Sequence, residues 1–565
     1  MLKTTNIHLL FIAALLGAAM SVHAANKPSL QRANWDGLSY ILDEQTMTAY
    51  VDAGQKVQGD ISIPEQIEAG EDIYTVVGIS DKAFKGCKEL TSVSLPSTIR
   101  TVYRSAFEGT AFYTNKEENW EHGTLYIDSI LISVDPDSIR SKYIVPERTN
   151  AIAVGAFIDC KELKQLFLPN TITEIAPETF RGCKSIRKFK LGSGIRRIGK
   201  DAFLNTGAWE NEGNWKKGVL YIDTCVIASD KSIKPVYVVR PESRVMADAA
   251  FAENTALQHI VLSPRYKEIG NETFAGCGHL EYVDIPADIE RIGDKAFADC
   301  SALKELRLPA SVKELGVQSF SGCVTLSEIR LPDHITTLPN GLFYQCQALQ
   351  KVSWPAGLTR IGKGVFYGCV TLREVKDLPQ TVKYIGSGTF CGCYDLRTAV
   401  LPDSVMQIAA HLFDGCSALT KVTCSDNVYD ISEFAFRNCV HLEAIHIPDY
   451  LFRIGQYAFA GCLSLRYAAL NDNIEVIEQG AFMGCASLEK MNIPLKTKHI
   501  EKQTFSGCRA LSEVNFHTKV EDVGELAFEN CTLLKKTFLP EKTEVHKTAF
   551  KGTKTIITRV PEKTE

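Results

Sequence analysis

The chain has no apolar run after residue 24 that is long enough to cross a membrane. A transmembrane helix needs about 20 consecutive apolar residues. The chain also lacks a strong charge of either sign, because 62 Lys and Arg against 67 Asp and Glu leave a net charge of −5 over 565 residues. A nucleic-acid-binding protein normally has a strongly basic surface. The sequence therefore predicts no membrane span in the mature chain and no nucleic acid partner.

Motifs for catalysis and for cofactors are missing as well. The 12 histidines occur at no metal-ligand spacing, and there is no nucleophile elbow, metalloprotease motif or paired catalytic carboxylate. Residues 194–200 copy most of a phosphate-binding loop, but Asp201 stands where Ser or Thr should hold magnesium. We therefore expect a non-enzymatic protein with no catalytic residues, no metal and no cofactor.

Residues 1–24 have the pattern of a secretory signal peptide. Lys3 supplies a positive start, an apolar run follows from Leu9 to Met20, and Ala24 ends a stretch with small residues at the cleavage positions. The run is shorter than a membrane span. The sequence therefore predicts export, to the cell surface, the periplasm or the medium.

A phenylalanine recurs at a fixed spacing through most of the chain. It occurs 19 times from Phe84 to Phe550, and 14 of the 18 intervals equal 23 residues. A period between 20 and 50 residues is typical of solenoids, in which each coil buries its apolar face only by stacking on its neighbours. We therefore expect one repeat array in place of several globular domains.

Two periodicities alternate inside one repeat unit. Phe297, Cys300 and Leu303 are three residues apart, which places them on one side of a tight helical turn. Leu306 and Leu308 are two apart, so both point inward from a short strand, which a proline then ends. Each unit is predicted to be one coil with a short parallel strand, a proline turn, a second extended piece and a helical turn.

These residues resemble the BspA-type leucine-rich repeats, also called the treponemal-type, 23-residue class. The resemblance implies a leucine-rich-repeat solenoid: a curved, right-handed stack of coils with a parallel β-sheet face, short helical or 3-10 turns and a β-rich N-terminal cap. It also implies an exported bacterial surface protein that binds molecules on host or microbial surfaces.

The repeat signature divides the chain into segments. Residues 25–79 lack it and carry strand-like pieces with turns, which predicts a β-rich N-terminal cap, with a separate binding domain as the alternative. Residues 80–555 form the array, in which intervals of 50 and 48 residues predict irregular, hairpin-bearing coils near 108–150 and 204–245. The last complete strand is expected near residues 537–540, and residues 556–565 are expected to be a short C-terminal tail.

The two irregular coils carry matching aromatic residues, Trp120 and Trp215, 95 positions apart. Because tryptophan and tyrosine dominate binding hot spots, a protruding loop with these residues is a candidate contact site. The alternative is that the aromatic rings cover the core where the coil is irregular.

Fifteen of the 18 cysteines lie three residues after a repeat phenylalanine, and Thr110, Thr206 and Thr553 take that position in other coils. A position that accepts Cys or Thr requires a small inward side chain and no obligatory bond. We therefore favour a row of buried free thiols over the alternative, the disulfide framework that 18 cysteines in an exported protein suggest. Zinc is disfavoured because ligands on consecutive coils form a line. Cys391 follows its phenylalanine directly, where we expect an exposed thiol that is either reactive or intermolecular.

The sequence favours a binding or adhesion protein that uses the repeat surface to bind proteins or glycans of host or microbial surfaces. The alternatives are an enzyme with its site in the insert hairpins and a purely structural spacer. Aromatic and arginine side chains on rigid strands are the favoured anchors. The candidate ligand-binding residues are a stripe of Tyr282, Arg307 and Arg330 flanked by Glu305 and Glu328, and then Trp120 and Trp215 of the hairpins.

Overall fold

The computed structural model describes residues 31–43, 46–52, 57–70 and 72–561. The predicted signal peptide, residues 1–24, lies outside these ranges. The described chain forms two compact units. Unit 1 runs to Gly194 and includes Asp201–Gly207, and unit 2 contains Ile195–Lys200 and the chain from Ala208 onwards.

Unit 1 begins with a mixed β-sheet whose inner face is apolar. Tyr40, Val51 and Val76 are fully buried there, on strands that alternate buried and partly exposed residues. Such alternation is typical of a sheet with one face on a core. The five strands of this sheet that precede the first repeat are Gln31–Trp35, Leu38–Asp43, Thr48–Asp52, Gln66–Ala69 and Asp72–Ile79.

The repeat coils contribute two rows of short strands. Strands of the first row follow the Leu-x-x-Leu pattern and pair in parallel with the next coil, as in Lys142 with Gln165 and Gln165 with Lys188. In unit 1 the first row contains Gly59–Ser62, Leu90–Ser94, Lys142–Ile144, Gln165–Phe167 and Lys188–Lys190. In unit 2 it contains Val236–Val238, His259–Val261, Tyr282–Asp284, Glu328–Arg330, Lys351–Ser353, Glu374–Val375, Thr398–Val400, Lys421–Thr423, Ala444–Ile445, Tyr467–Ala468, Lys490–Asn492, Glu513–Asn515, Lys536–Pro540 and Ile556–Val560.

The second row lies just before each repeat phenylalanine and consists of two-residue strands. Each strand has one outward polar or charged residue and one inward aliphatic residue in most coils, as in Arg291–Ile292. In unit 1 these strands are Thr101–Val102, Ala151–Ile152 and Glu174–Ile175. In unit 2 they are Arg197–Ile198, Val245–Met246, Glu268–Ile269, Arg291–Ile292, Glu314–Leu315, Thr337–Leu338, Arg360–Ile361, Tyr384–Ile385, Gln407–Ile408, Asp430–Ile431, Arg453–Ile454, Val476–Ile477, His499–Ile500, Asp522–Val523 and Glu544–Val545.

Both long repeat intervals fold as antiparallel hairpins. Thr124–Ile127 pairs with Ile130–Val134 in unit 1, and Val219–Ile222 pairs with Cys225–Ser229 in unit 2, each with one bulge. A third short strand joins each hairpin, Trp120–Glu121 in the first and Trp215–Lys216 in the second. The matching residues of the two inserts therefore take the same strand positions.

Helix is scarce in the described chain, and the coils close with hydrogen-bonded turns. In each turn the amide of the cysteine donates to the carbonyl of the phenylalanine three residues earlier, as Cys277 does to Phe274 at 3.0 Å. The helical segments are Arg104–Phe107, Ala111–Thr114, Lys116–Asn119 and Glu212–Asn214. The predicted solenoid of stacked coils with parallel strands and short turns is confirmed.

The repeat phenylalanines form the core as stacks of parallel rings. In unit 2 the centroids of successive rings from Phe251 to Phe550 are 5.1 to 5.8 Å apart, and no pair of planes is inclined by more than 20°. In unit 1, Phe157, Phe180 and Phe203 lie 6.0 and 5.3 Å apart with their ring planes tilted by 41° and 33°. A buried aromatic ring with a neighbour on each side contributes large apolar area to both contacts.

The buried cysteines connect each coil to the coil before it. In unit 2 the Cys277 thiol donates to the carbonyl of Phe251 at 2.9 Å, and the Cys300 thiol donates to that of Phe274 at 3.1 Å. The same bond recurs in every coil through Cys531. Burial raises the pKa of Cys277 and of Cys346 to about 12. Each thiol is therefore a neutral donor within the stack.

Threonine at the same position bonds differently. The hydroxyls of Thr110 and Thr206 donate to the phenylalanine carbonyl of their own coil, at 2.8 and 2.9 Å. In the coil of Phe251, Asn254 takes this position, and its amide group donates to Asp230 O at 3.0 Å. What these residues share is a buried hydrogen-bond donor, so the position selects for more than small size.

The structure corrects two strand predictions. The described chain does not end its first row at Lys536–Pro540, since Ile556–Val560 pairs with that strand in parallel from Lys536 to Pro540. In the coil of Phe297, where Leu306 and Leu308 predicted a strand, Glu305–Leu308 forms none. Leu306 is nevertheless buried and Leu308 partly buried, so the inward orientation is as predicted.

Candidate ligand-binding groove

The first row of unit 2 is divided into several sheets, and at residues 305–308 a coil contributes no strand to it. Sheets end at Tyr282–Asp284 on one side and begin again at Glu328–Arg330 on the other. Within the described part of the chain, the backbone amides and carbonyls of these four residues make no hydrogen bond. Unpaired backbone groups at a protein surface are available to a ligand that can supply donors and acceptors.

Like charges on neighbouring coils disfavour strand pairing on one side of this interruption. One repeat period separates Glu305 from Glu328 and Arg307 from Arg330, so a closed ladder would place both pairs directly opposite each other. Like charges opposite each other destabilise a strand pair. The Arg307 side chain turns instead to its own coil, where its Nε lies 2.6 Å from Glu305 Oε1.

A groove of 860 Å³ lies along this interruption. We call it the central groove. It extends from the coil of Glu305 to that of Glu374, with aliphatic side chains and Trp354 as its apolar part and charged side chains around them. Its lining residues are Glu305, Leu306, Arg307, Leu308, Glu328, Ile329, Arg330, Gln350, Lys351, Val352, Ser353, Trp354, Leu372, Glu374, Lys376 and Asp377.

The charged residues of the central groove balance each other. Four acids and four bases line it, and two of the bases are paired within their own coil, Arg307 with Glu305 and Lys376 with Glu374 at 2.5 Å. The hydrogen bond to the Glu305 carboxylate raises the pKa of Arg307, which is already charged at neutral pH. The groove therefore offers charges of both signs at fixed positions.

Trp354 is the residue of the groove that sequence reasoning missed. Its indole nitrogen donates to Lys376 O at 3.0 Å, and its ring packs edge-on against Phe366 at 5.6 Å. Both contacts hold the ring in a single orientation. The available signal was that tryptophan stands before Pro355 where other coils have a leucine, such as Leu331 before Pro332.

The predicted stripe is only partly brought together. Glu305, Arg307, Glu328 and Arg330 all line the central groove. Tyr282 does not line it; its side chain is 49% exposed on the preceding coil, and its ring packs edge-on against His259 at 6.1 Å. The groove extends instead toward Lys351 and Glu374, on the side away from Tyr282.

Comparison with protein families decides the identity of the repeats. The model described as a BspA-type leucine-rich repeat region in six copies matches residues 65–118, 138–234, 238–350, 336–466 and 429–557, which is most of the chain. The chain belongs to the BspA-type leucine-rich repeat family. No curated protein matches it in sequence.

Several solved structures are similar to this BspA-type chain. A leucine-rich repeat protein from Bacteroides ovatus is 21% identical, over 94% of this chain and 99% of that chain, with a TM-score of 0.34. A leucine-rich cell surface protein from Faecalibacterium prausnitzii is 18% identical over 86% and 95%, with a TM-score of 0.27. A leucine-rich repeat protein from Eubacterium ventriosum is 17% identical over 79% and 92%, with a TM-score of 0.34.

The hairpin tryptophans of this BspA-type array are held by local contacts. The indole nitrogen of Trp120 donates to Tyr113 O at 2.9 Å, and that of Trp215 donates to Trp209 O at 2.8 Å. Both rings are half-buried, and each packs edge-on against the same neighbour at 5.6 Å. These contacts favour the interpretation that the rings cover irregular coils, and a contact role for them stays a prediction.

Cys391 is half-buried, whereas its position predicted exposure. Other coils carry long side chains here, such as Lys85 and Arg181, which extend outward, but the shorter cysteine stays beside Tyr367. Burial, with a smaller effect from the charge of Asp414, raises the pKa of the Cys391 thiol to about 12. A high pKa disfavours the reactive thiolate, and the reactivity of Cys391 stays a prediction.

No metal-binding group of three or more His, Cys, Asp or Glu side chains occurs among the described residues. In the same ranges, no helix has the length and apolar character that crossing a membrane requires. The central groove offers a ligand charged side chains, an aromatic ring and unpaired backbone groups.

Proposed function

We propose that this chain is an exported, non-enzymatic binding protein that recognises a protein or glycan on host or microbial surfaces through the central groove. The observation that carries this proposal is the interrupted strand row at residues 305–308. It combines open backbone groups with an apolar floor and a ring of charges. Such a combination is typical of sites that bind an extended partner by its main chain and by its side chains.

The groove residues have distinct roles in this proposal. Arg330 and Glu328 have no ion-pair partner within the described ranges, so they are available to pair with charges of the partner. Arg307 can exchange its contact with Glu305 for one with the partner. Trp354 is held rigidly from two sides, and a rigid aromatic ring contributes to binding at a low entropic cost.

The test begins with the partner, captured from extracts of host matrix and of microbial surfaces by the immobilised full chain. Binding of the captured molecule is then measured for the double variant Arg307→Ala/Arg330→Ala. We expect affinity to fall by about tenfold or more, because central arginines are frequent hot spots. The matched control is Arg466→Ala/Arg509→Ala, which removes two exposed arginines from distant coils.

Two further variants locate the site. Tyr282→Ala tests whether the partner extends beyond the groove onto the preceding coil, and Trp120→Ala with Trp215→Ala tests the hairpins. Full affinity of the groove variant together with lost affinity of the hairpin variant would reject the central groove as the site. Turnover of the captured molecule would reject the non-enzymatic assignment, and failure to capture any molecule would favour a structural spacer.

A further inference from the structure

The first row of unit 1 carries a cluster of basic side chains on three consecutive coils. Lys142, Lys164, Arg187, Lys188 and Lys190 are all exposed there. We call these five residues the basic face. The three stretches that build it, residues 140–146, 161–168 and 184–191, contain eight Lys or Arg and a single acid, Glu162.

The register of the strands places these side chains on one surface. Lys142 pairs with Gln165, which pairs with Lys188, and the amide of Arg187 donates to Lys164 O at 3.0 Å. Adjacent strands are about 4.8 Å apart, and alternate residues of one strand are about 6.6 Å apart. Lys142 and Lys188 are therefore about 10 Å apart across the row, and Lys188 and Lys190 about 6.6 Å apart along it.

The basic face has no acidic partner in the part of the chain that the structure describes. None of its five side chains forms an ion pair among the described residues, and Glu162 forms none with them. Several lysines on the corresponding surface of unit 2 are paired, as Lys304 is with Glu281 at 3.2 Å and Lys490 with Glu513 at 2.9 Å. The self-repulsion of the basic face costs stability, so an anion that neutralises it is stabilising.

An aromatic ring lies within the basic face. Phe167 pairs with Ile144 on one side and with Lys190 on the other, and the ammonium group of Lys142 lies 4.8 Å from its ring centroid. Phe167 is half-buried and Ile144 is exposed. The surface thus offers cations in rows with an apolar strip beside them.

We infer that the basic face binds a linear acidic glycan, independently of the central groove. A polymer with evenly repeated sulfates or carboxylates matches rows of cations at even spacing, and the apolar strip of Phe167 and Ile144 can contact the faces of its sugar rings. Duplex nucleic acid is disfavoured. It is a long, wide polyanion that would also contact other parts of the chain, and the net charge of −5 would repel it.

The experiment uses the full chain and two glycan probes. Heparin carries sulfates and carboxylates, whereas hyaluronan carries carboxylates only, so the pair distinguishes the two anionic groups. We expect the wild-type chain to bind at least one of them, with an affinity that falls as salt rises because exposed charges are screened. The variant Lys142→Gln/Lys188→Gln/Lys190→Gln should bind on the order of tenfold more weakly, since three exposed ion pairs are lost together.

The matched control is Lys304→Gln/Lys490→Gln/Lys502→Gln, which removes the same charge from lysines that are paired with acids. It should bind as the wild type does. Equal loss in both variants would show a diffuse charge effect and overturn the assignment, as would absence of binding to both glycans. Tighter binding to duplex DNA than to either glycan, lost in the first variant, would assign the face to nucleic acid instead.

Discussion

At the scale of single residues, the repeat phenylalanine and the cysteine after it act together. The phenylalanine carbonyl accepts the amide of its own turn and the thiol of the next coil, as Phe274 O does from Cys277 and Cys300. The ring of the same phenylalanine stacks on the rings before and after it. One residue thus supports a coil both by packing and by hydrogen bonding.

The stacking predicts that removing a phenylalanine ring costs more stability in the middle of the stack than at its end. Phe320 is fully buried and stacks on Phe297 and Phe343, so Phe320→Ala should cost about 3–5 kcal/mol of stability. Phe550 is half-buried and, among the described rings, stacks on Phe528 alone, so Phe550→Ala should cost clearly less. Denaturant melts of both variants provide the comparison, and equal losses would contradict the stacked core.

The thiols predict a loss of stability at alkaline pH. Burial raises the pKa of Cys277, Cys346 and Cys531 from 9.0 to about 12. Their contribution to stability is complete below pH 9, where the thiol is neutral in both states, and it is lost between pH 9 and 12 as the unfolded thiols ionise. The loss is at most about 1.4 kcal/mol per pH unit for each thiol.

Melting curves from neutral to alkaline pH measure this dependence. The control is Cys277→Thr/Cys346→Thr, because threonine does not ionise and occupies the same position in other coils. Its stability should fall less steeply above pH 9. A slope identical to that of the wild type would mean that these thiols are not protonated donors in the folded chain.

At the scale of the coil, neighbours decide whether a strand ladder closes. The coil of Phe297 has the same pattern as the coils around it, with Leu306, Leu308 and Pro309 in register, and the sequence correctly predicted which of its side chains point inward. It did not predict the missing ladder, because strand pairing depends on the side chains of the neighbouring coils. The strand Ile556–Val560 was missed since Thr553 interrupts the cysteine signature there.

Repulsion between Glu305 and Glu328 across the interrupted row predicts the effect of reversing one charge. Glu328→Lys places a cation opposite Glu305 in place of a second carboxylate, so the strands should pair more readily. Amides of residues 305–308 should then exchange with solvent roughly two- to fivefold more slowly. Glu513→Lys, on another strand of the same row, is the control. Unchanged exchange in Glu328→Lys would mean that like charges do not hold the ladder open.

At the scale of the whole molecule, the repeat period was the strongest signal in the sequence. It predicted the solenoid, the inward residues and the buried cysteines, because a solenoid's core is dictated by local spacing. It also selected Glu305, Arg307, Glu328 and Arg330, which do meet in the groove. It could not predict that Tyr282 lies outside the groove or that Trp354 lines it, since the boundaries of the groove depend on how far successive coils are separated.

A thiol titration tests the cysteine assignment over the whole chain. After unfolding without reductant, we expect most of the 18 cysteines to react as free thiols. In the folded chain few should react, because nearly all are buried and even Cys391 is half-buried. Recovery of only two or three free thiols after unfolding would mean that the cysteines are bridged.

Hydrogen exchange across residues 305–308, with and without a bound partner, tests the central claim most directly. In the free chain these amides should exchange faster than those of Lys351–Ser353, which pair with the preceding strand. Bound partner should slow them more than any other amides of unit 2, because it supplies the missing hydrogen bonds. Slow exchange at 305–308 in the free chain, or protection by the partner confined to other coils, would contradict the account.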